Sequence, residues 1–228
     1  MEVRERGPIV AVDGPAGAGK STVARKMAQR LGFLYLDSGA MYRALALKAL
    51  QHGIDLRDEL ALAELLASSE ITLLGNGQHE PAVWLDGEDV TALLRTPEVN
   101  ASVSLVAGFR MVREEMVRRQ RRLACGGWVV MDGRDIGTYV LPCADLKFYL
   151  TASLEARARR RLNDLIAQGF HPELNVLGEE IRNRDVLDAS REVGPLRQAE
   201  DAIVIDTTDM EVDRVVDMMV ENFRQRVS

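Results

Sequence analysis

Aromatic side chains are scarce in this sequence: Phe, Trp and Tyr make up 5% of its 228 residues. Leu, Val, Ile and Ala must therefore fill most of the core, and the 46% apolar share is enough to build one. Cysteine is scarcer still, with Cys125 and Cys143 alone. Two such residues make neither a disulfide framework nor a zinc site, and they read as reduced thiols of a cytoplasmic protein. The three histidines, His52, His79 and His171, have no partner at metal-ligand spacing. No apolar run approaches membrane-spanning length, and the opening Met1-Glu-Val-Arg-Glu-Arg6 is charged. Neither a targeting signal nor a membrane contact is expected. An excess of positive charge is missing too: the net charge is -6, which argues against a nucleic-acid partner held by bulk electrostatics. A metabolite enzyme with local basic clusters fits this balance better.

What is present alternates. Pro8-Ile-Val-Ala-Val-Asp13 is a short apolar run ended by Gly-Pro, the pattern of a buried strand. Ser21 to Leu31 predicts a helix with Val23, Met27 and Leu31 on one face. Phe33 to Asp37 predicts a second strand and Met41 to Leu50 a second helix. Strands Trp128–Met131, Leu146–Leu150 and Ala202–Ile205 follow, with helices Glu155–Gln168 and Val212–Arg226. This rhythm predicts a three-layer α/β fold with a central parallel sheet and helices on both faces.

The rhythm changes between about residues 70 and 95. Ile71–Leu74, a Gly75-Asn-Gly77 turn and Ala82–Leu85 before Asp86-Gly87 predict an inserted antiparallel β meander, without a core of its own. One long helix is then expected from about Ser102 to Leu123, stopping at Gly126-Gly127 and carrying Arg110, Arg113, Arg118, Arg119, Arg121 and Arg122. No repeat, low-complexity tract or linker interrupts the chain, so residues 1–228 read as one domain with appendages.

Gly14-Pro15-Ala16-Gly17-Ala18-Gly19-Lys20-Ser21, followed by Thr22, matches G-x-x-x-x-G-K-[ST] between a predicted strand and a predicted helix. The glycines let successive N–H groups approach phosphate oxygens, and the helix start adds the positive end of its dipole. Lys20 supplies a cation for the β and γ phosphates of ATP, and the Ser21 hydroxyl suits Mg²⁺. A GTPase would need an Asn-Lys-x-Asp sequence, which is missing. A motor or transport ATPase would need a larger body.

Behind this loop stand Asp37-Ser-Gly-Ala-Met-Tyr-Arg43, Asp132-Gly-Arg-Asp-Ile-Gly-Thr138 and Arg184-Asp185-x-x-Asp188-x-x-Arg191. In that order, and with the inserted meander, they resemble the bacterial cytidylate kinases from Ile9 to the last strand. The resemblance implies ATP-dependent phosphorylation of CMP and dCMP to CDP and dCDP, with Mg²⁺, in a P-loop nucleoside monophosphate kinase. A monomer is expected, with ATP and CMP or dCMP as its only partners. Its acceptor-binding region covers about residues 38–113 and a short lid about residues 155–170.

The same resemblance places Ser38, Tyr42 and Arg43 at the acceptor phosphate, although Tyr42 also suits packing on an amphipathic helix. It places Ser104, Arg113 and Asp135 around the base. A carboxylate would accept from the cytosine N4 amine and would face the O4 acceptor of uracil unpaired. Arg113 alone would equally read as part of a solvated basic helix, and Ser102 lies close enough to Ser104 to be confused with it. Arg134, Arg184 and Arg191 fall at phosphate-binding positions and Asp188 at the acceptor sugar. The spacings of Arg184, Asp188 and Arg191 also allow ion pairs along one helix. In the lid, Arg157 and Arg161 are the expected functional pair, Arg160 being the near alternative. Other readings are a kinase for AMP, UMP or dTMP and a nucleotide sensor without turnover.

Overall fold

The structure is a computed structural model that describes residues 6–74, 82–167 and 169–227. Among these residues, five parallel strands form the central sheet: β1 (Ile9–Asp13), β2 (Leu34–Asp37), β6 (Val129–Asp132), β7 (Leu146–Thr151) and β8 (Ile203–Asp206). Their order across the sheet is β2-β6-β1-β7-β8. The predicted three-layer α/β architecture is therefore the observed one. Successive side chains of a strand face opposite ways. Val10 and Val12 of β1 pack with α1 (Lys20–Leu31) and α8 (Val212–Val227), while Ile9 and Ala11 face α5 (Arg110–Ala124). Burying a valine of this kind contributes about 1.5–3 kcal/mol, and both faces of β1 are dry. A strand buried along its whole length thus leads into the phosphate loop.

Helix α2 begins at Ser38, earlier than the pattern suggested, and runs to Gln51. Asp37 caps it, its Oδ1 accepting from the Ala40 N–H at 2.9 Å. Helix α3 (Glu59–Ala67) was not foreseen. The meander consists of β3 (Ile71–Leu74), β4 (Ala82–Leu85) and β5 (Glu88–Asp89), paired antiparallel. The expected Gly75-Asn-Gly77 turn lies outside the described residues. Val83 and Leu85 join a cluster whose other members come chiefly from α2, α3, α4 (Pro97–Val106) and α5. The small sheet covers a helical core that it does not build by itself.

The single helix expected over 102–123 is two. Helix α4 ends at Val106, Gly108 follows its cap, and Phe109 is extended (φ -74°, ψ 133°) before α5 starts at Arg110. Trp128, expected in a strand, has φ 55° and precedes β6. Helices α6 (Leu154–Ala167) and α7 (Leu174–Ala189) follow, and α6 covers most of the segment expected to be the lid. Arg191 lies just beyond the end of α7.

Candidate active site

The phosphate loop joins β1 to α1 along the carboxyl edge of the sheet, where open α/β sheets bind ligands. Gly14 has φ 143°, and a Cβ there would run into the carbonyl oxygen of Leu150 in β7. Only glycine fits this opening turn. Lys20 is buried and its Nζ donates to the Pro15 carbonyl at 2.7 Å. Burial, then Arg134, holds its ammonium well below the usual lysine range, while Asp132 pulls the other way. Thr22 follows on the exposed side of the first turn of α1.

Ser21 Oγ donates to Asp132 Oδ2 at 2.8 Å, and the Tyr35 hydroxyl donates to Oδ1 at 2.8 Å. Asp132 is the last residue of β6, and burial followed by Asp37 pushes its carboxyl up to about 6. A hydroxyl and a carboxylate side by side are hard oxygen donors of the kind a small divalent cation requires. Sequence reading passed over Asp132 although it opens the Asp132-Gly-Arg-Asp segment. The signal was its position directly after the apolar run Trp128–Met131, at the sheet edge where the phosphate loop also begins.

Two arginines of α6 reach the phosphate loop. Arg157 donates to Ala16 O and Ala152 O, each at 3.1 Å, and to Asp185 Oδ2 at 2.6 Å. Arg160 donates to Thr207 Oγ1 at 3.0 Å and Gly17 O at 3.5 Å, and also to the Thr207 carbonyl. Thr207 in turn donates to Ala18 O at 3.1 Å. Arg161 makes no hydrogen bond or ion pair among the described residues and does not reach the loop. The second contact expected of it is made by Arg160.

At the start of α2, Ser38 Oγ donates to the Asp132 carbonyl at 2.7 Å. Arg43 Nε donates to Asn100 Oδ1 at 3.4 Å, and both Arg43 and Arg95 stand 3.9 Å from Asp37. These three residues and Ser21 help line a cavity of about 280 Å³ between α1, α2 and the meander. Its far wall includes Leu73, Val83 and Leu94.

Deeper in, Arg113 forms an ion pair with Asp135, the two side chains being 1% and 7% exposed. Arg113 is therefore not on a solvated helix face. Burial pushes the Asp135 carboxyl up, while Arg113, Arg191 and Arg134 oppose it. The Arg113 guanidinium lies 5.7 Å from the centre of the Tyr42 ring, within cation–π range, so Tyr42 packs here. The Tyr42 hydroxyl is buried beside the Gln120 side chain. Ser104 Oγ is buried without a partner, whereas Ser102 donates to Glu98 O at 2.9 Å. The two serines are thereby distinguished, Ser104 being the one with hydrogen-bonding capacity to spare.

Asp188 is buried between Arg134 and Arg191. Its Oδ2 accepts from Arg134 Nε at 2.7 Å, and its Oδ1 accepts from Arg191. Arg184 is different. It makes no hydrogen bond or ion pair among the described residues, and its Nε is buried and unpartnered. Burial, then Arg134 and Arg43, lowers its guanidinium to about 9. The structure thus gathers the predicted Lys20, Ser38, Arg43, Arg134, Arg184, Asp188 and Arg191 along one edge of the sheet, with Ser104, Arg113 and Asp135 beside them.

The profile of the family described as cytidylate kinase matches residues 10–225. Among curated proteins, the cytidylate kinase of Geobacillus sp. strain WCH70 is 54% identical over 96% of this chain and 97% of its own length. That of Pelotomaculum thermopropionicum is 52% identical over 93% of this chain and 94% of its own. Among solved structures, shikimate kinase from Bacteroides thetaiotaomicron aligns with a TM-score of 0.51 at 16% identity, covering 95% of this chain and 98% of that one. TT1252 from Thermus thermophilus gives 0.50 at 18% identity, covering 98% and 100%. These structural likenesses bear on the fold alone.

Proposed function

The chain belongs to the cytidylate kinase family and phosphorylates CMP and dCMP with ATP, and we propose that the residues gathered along the sheet edge divide that work among themselves. Arg184 carries this reading. A buried guanidinium surrounded by Arg43, Arg134 and Arg191 and lacking an acceptor is costly unless an anion completes the site. The phosphates of two nucleotides supply that charge.

Backbone N–H groups of Gly14–Ser21 and the start of α1 hold the donor phosphates. Lys20 exchanges the Pro15 carbonyl for the β and γ phosphates, and Arg157 and Arg160 close over them from the lid. Ser38, Arg43, Arg134 and Arg184 hold the acceptor phosphate, and Asp188 with Arg191 borders the sugar. Tyr42 supports Arg113 from beneath, while Arg113, Ser104 and Asp135 read the base. An ionised Asp135 accepts from the N4 amine of cytosine, and uracil would set its O4 against that carboxylate. Ser21 and Asp132 would hold Mg²⁺, which supplies charge neutralisation at the β and γ phosphates.

An acceptor phosphate oxygen forms the new bond to the γ-phosphorus as the β–γ bridging bond breaks, and ADP leaves with that electron pair. No side chain needs to act as a nucleophile, since the acceptor is already anionic near neutral pH. Catalysis is positioning and charge neutralisation by Lys20 and the converging arginines. Lid closure keeps water from competing as acceptor. A cytoplasmic monomer completes the proposal, in keeping with two exposed, unpaired thiols.

Lys20→Ala tests the division of labour. Loss of one such transition-state contact is expected to lower kcat by about 10²–10³-fold, with CMP binding nearly unchanged. Near-normal turnover would contradict the mechanism.

A further inference from the structure

Asp13 is a buried carboxylate at the last position of β1, immediately before Gly14, and the mechanism above gives it no task. Its Oδ1 accepts from the backbone N–H of Ile136 at 2.8 Å, and its Oδ2 accepts from that of Gly137 at 2.7 Å. Those two residues begin the turn Ile136–Val140. In that turn Tyr139 and Val140 donate back to the Asp135 carbonyl at 2.9 and 3.0 Å, and Leu141 donates to Ile136 O at 2.7 Å. Bonds across five residues of this kind recur at functional sites. At the other end of the loop, the Gly133 N–H donates to Val12 O at 3.0 Å. Residues 133–137 are therefore tied at both ends to the last two residues of β1, and Arg134 and Asp135 lie between the ties. Space at the second tie is small. A Cβ on Gly137 would stand 3.0 Å from Lys147 Cδ and 3.3 Å from Asp13 Oδ2.

We propose that Asp13 is a positioning residue for acceptor selection: by gripping the N–H groups of Ile136 and Gly137 it aims Asp135 at cytosine and Arg134 at the acceptor phosphate, in register with the donor loop that begins at Gly14. The inference rests on the roles given above to Arg134 and Asp135. β1 is the middle strand of the sheet, flanked by β6 and β7 on either side. A loop fixed to its end inherits the immobility of the core, which a site-bearing loop needs. Two acceptor oxygens on one short side chain are required. An asparagine offers one oxygen and turns its amide nitrogen toward the second N–H, leaving two donors face to face and one N–H unpaired.

The test compares Asp13→Asn and Gly137→Ala with Asp135→Asn, measuring kcat/KM for CMP and UMP and the Kd of a fluorescent ATP analogue. A displaced loop is expected to lower the CMP-to-UMP ratio in Asp13→Asn by about tenfold or more, while the Kd of the ATP analogue stays nearly constant. Gly137→Ala should move the ratio the same way, because the added methyl shifts the turn without altering charge, and it decides the matter if Asp13→Asn does not fold. An unchanged ratio in either active variant overturns the inference, as does a parallel loss of ATP and CMP binding with the ratio kept. A support for folding alone would leave the ratio where it is. If Asp135→Asn itself keeps the wild-type ratio, the base-reading role fails and the inference with it. If Asp135→Asn loses the ratio and the other two keep it, the inference fails alone.

Discussion

Arg134 Nε donates to Asp188 Oδ2 at 2.7 Å, tying the loop after β6 to helix α7. The other oxygen of Asp188 takes Arg191, so one buried carboxylate balances two guanidiniums. Those cations hold its carboxyl below the usual aspartate range against the effect of burial. Asp188→Asn removes the balancing charge and leaves Arg134, Arg184 and Arg191 to repel one another. Breaking a buried pair from one side costs about 3–5 kcal/mol. Urea denaturation should register a loss of that order, and KM for CMP should rise more than KM for ATP. A variant of wild-type stability would contradict the account of this network.

Arg160 and Arg161 are adjacent on α6, yet only Arg160 touches the phosphate loop and Thr207. Arg160→Ala is predicted to lower kcat/KM for ATP by about tenfold to a hundredfold, as loss of a charge-assisted contact to phosphate implies. Arg161→Ala should leave it nearly unchanged. Steady-state kinetics with varied ATP separates the two, and the reverse ranking would place the lid contact one residue further along the helix.

Asp13 makes stability depend on pH in a defined direction. Burial pushes its carboxyl up to about 7 from 3.8, with Asp135 adding to the shift and the N–H groups of Gly137 and Ile136 opposing it. The folded state therefore binds a proton that the unfolded chain lacks between those two values. The penalty of burying the charge is fully felt above about 7 and is relieved as pH falls toward 3.8. The unfolding free energy of the wild type minus that of Asp13→Asn should rise on going from about pH 8 to pH 5.5, by at most about 1.4 kcal/mol per pH unit. Asp132, pushed up to about 6, shifts in the same sense but is present in both proteins and cancels from the difference. A difference independent of pH would contradict the burial of a charged Asp13.

Local signals were the legible part of the sequence. The phosphate loop, the strand before it and the helix after it are encoded in contiguous residues, and so are β7 and α8. The helix over 102–123 was misread because Ala107-Gly108-Phe109 interrupts an apolar period without a proline, and the break lies in the extended backbone of Phe109. Helix α3 has Leu or Ala at seven of its nine positions, so its period does not stand out, and only Leu62 and Leu66 are fully buried. Arg160 and Arg161 differ by one step of rotation about α6, which composition cannot resolve. The tasks of Asp13 and Asp132 were hidden for another reason: their partners lie 97 to 124 residues away and meet them only across the sheet edge.

If Asp135, held by Arg113, reads the base, the site transfers phosphoryl groups preferentially to cytosine nucleotides. ADP release with Mg-ATP should be measured with CMP, dCMP, UMP, AMP and dTMP as acceptors. The account predicts preferential turnover of CMP and dCMP, with UMP disfavoured by about tenfold to a hundredfold or more, the worth of one well-made polar contact to a base. Comparable or faster turnover of UMP, AMP or dTMP would contradict it.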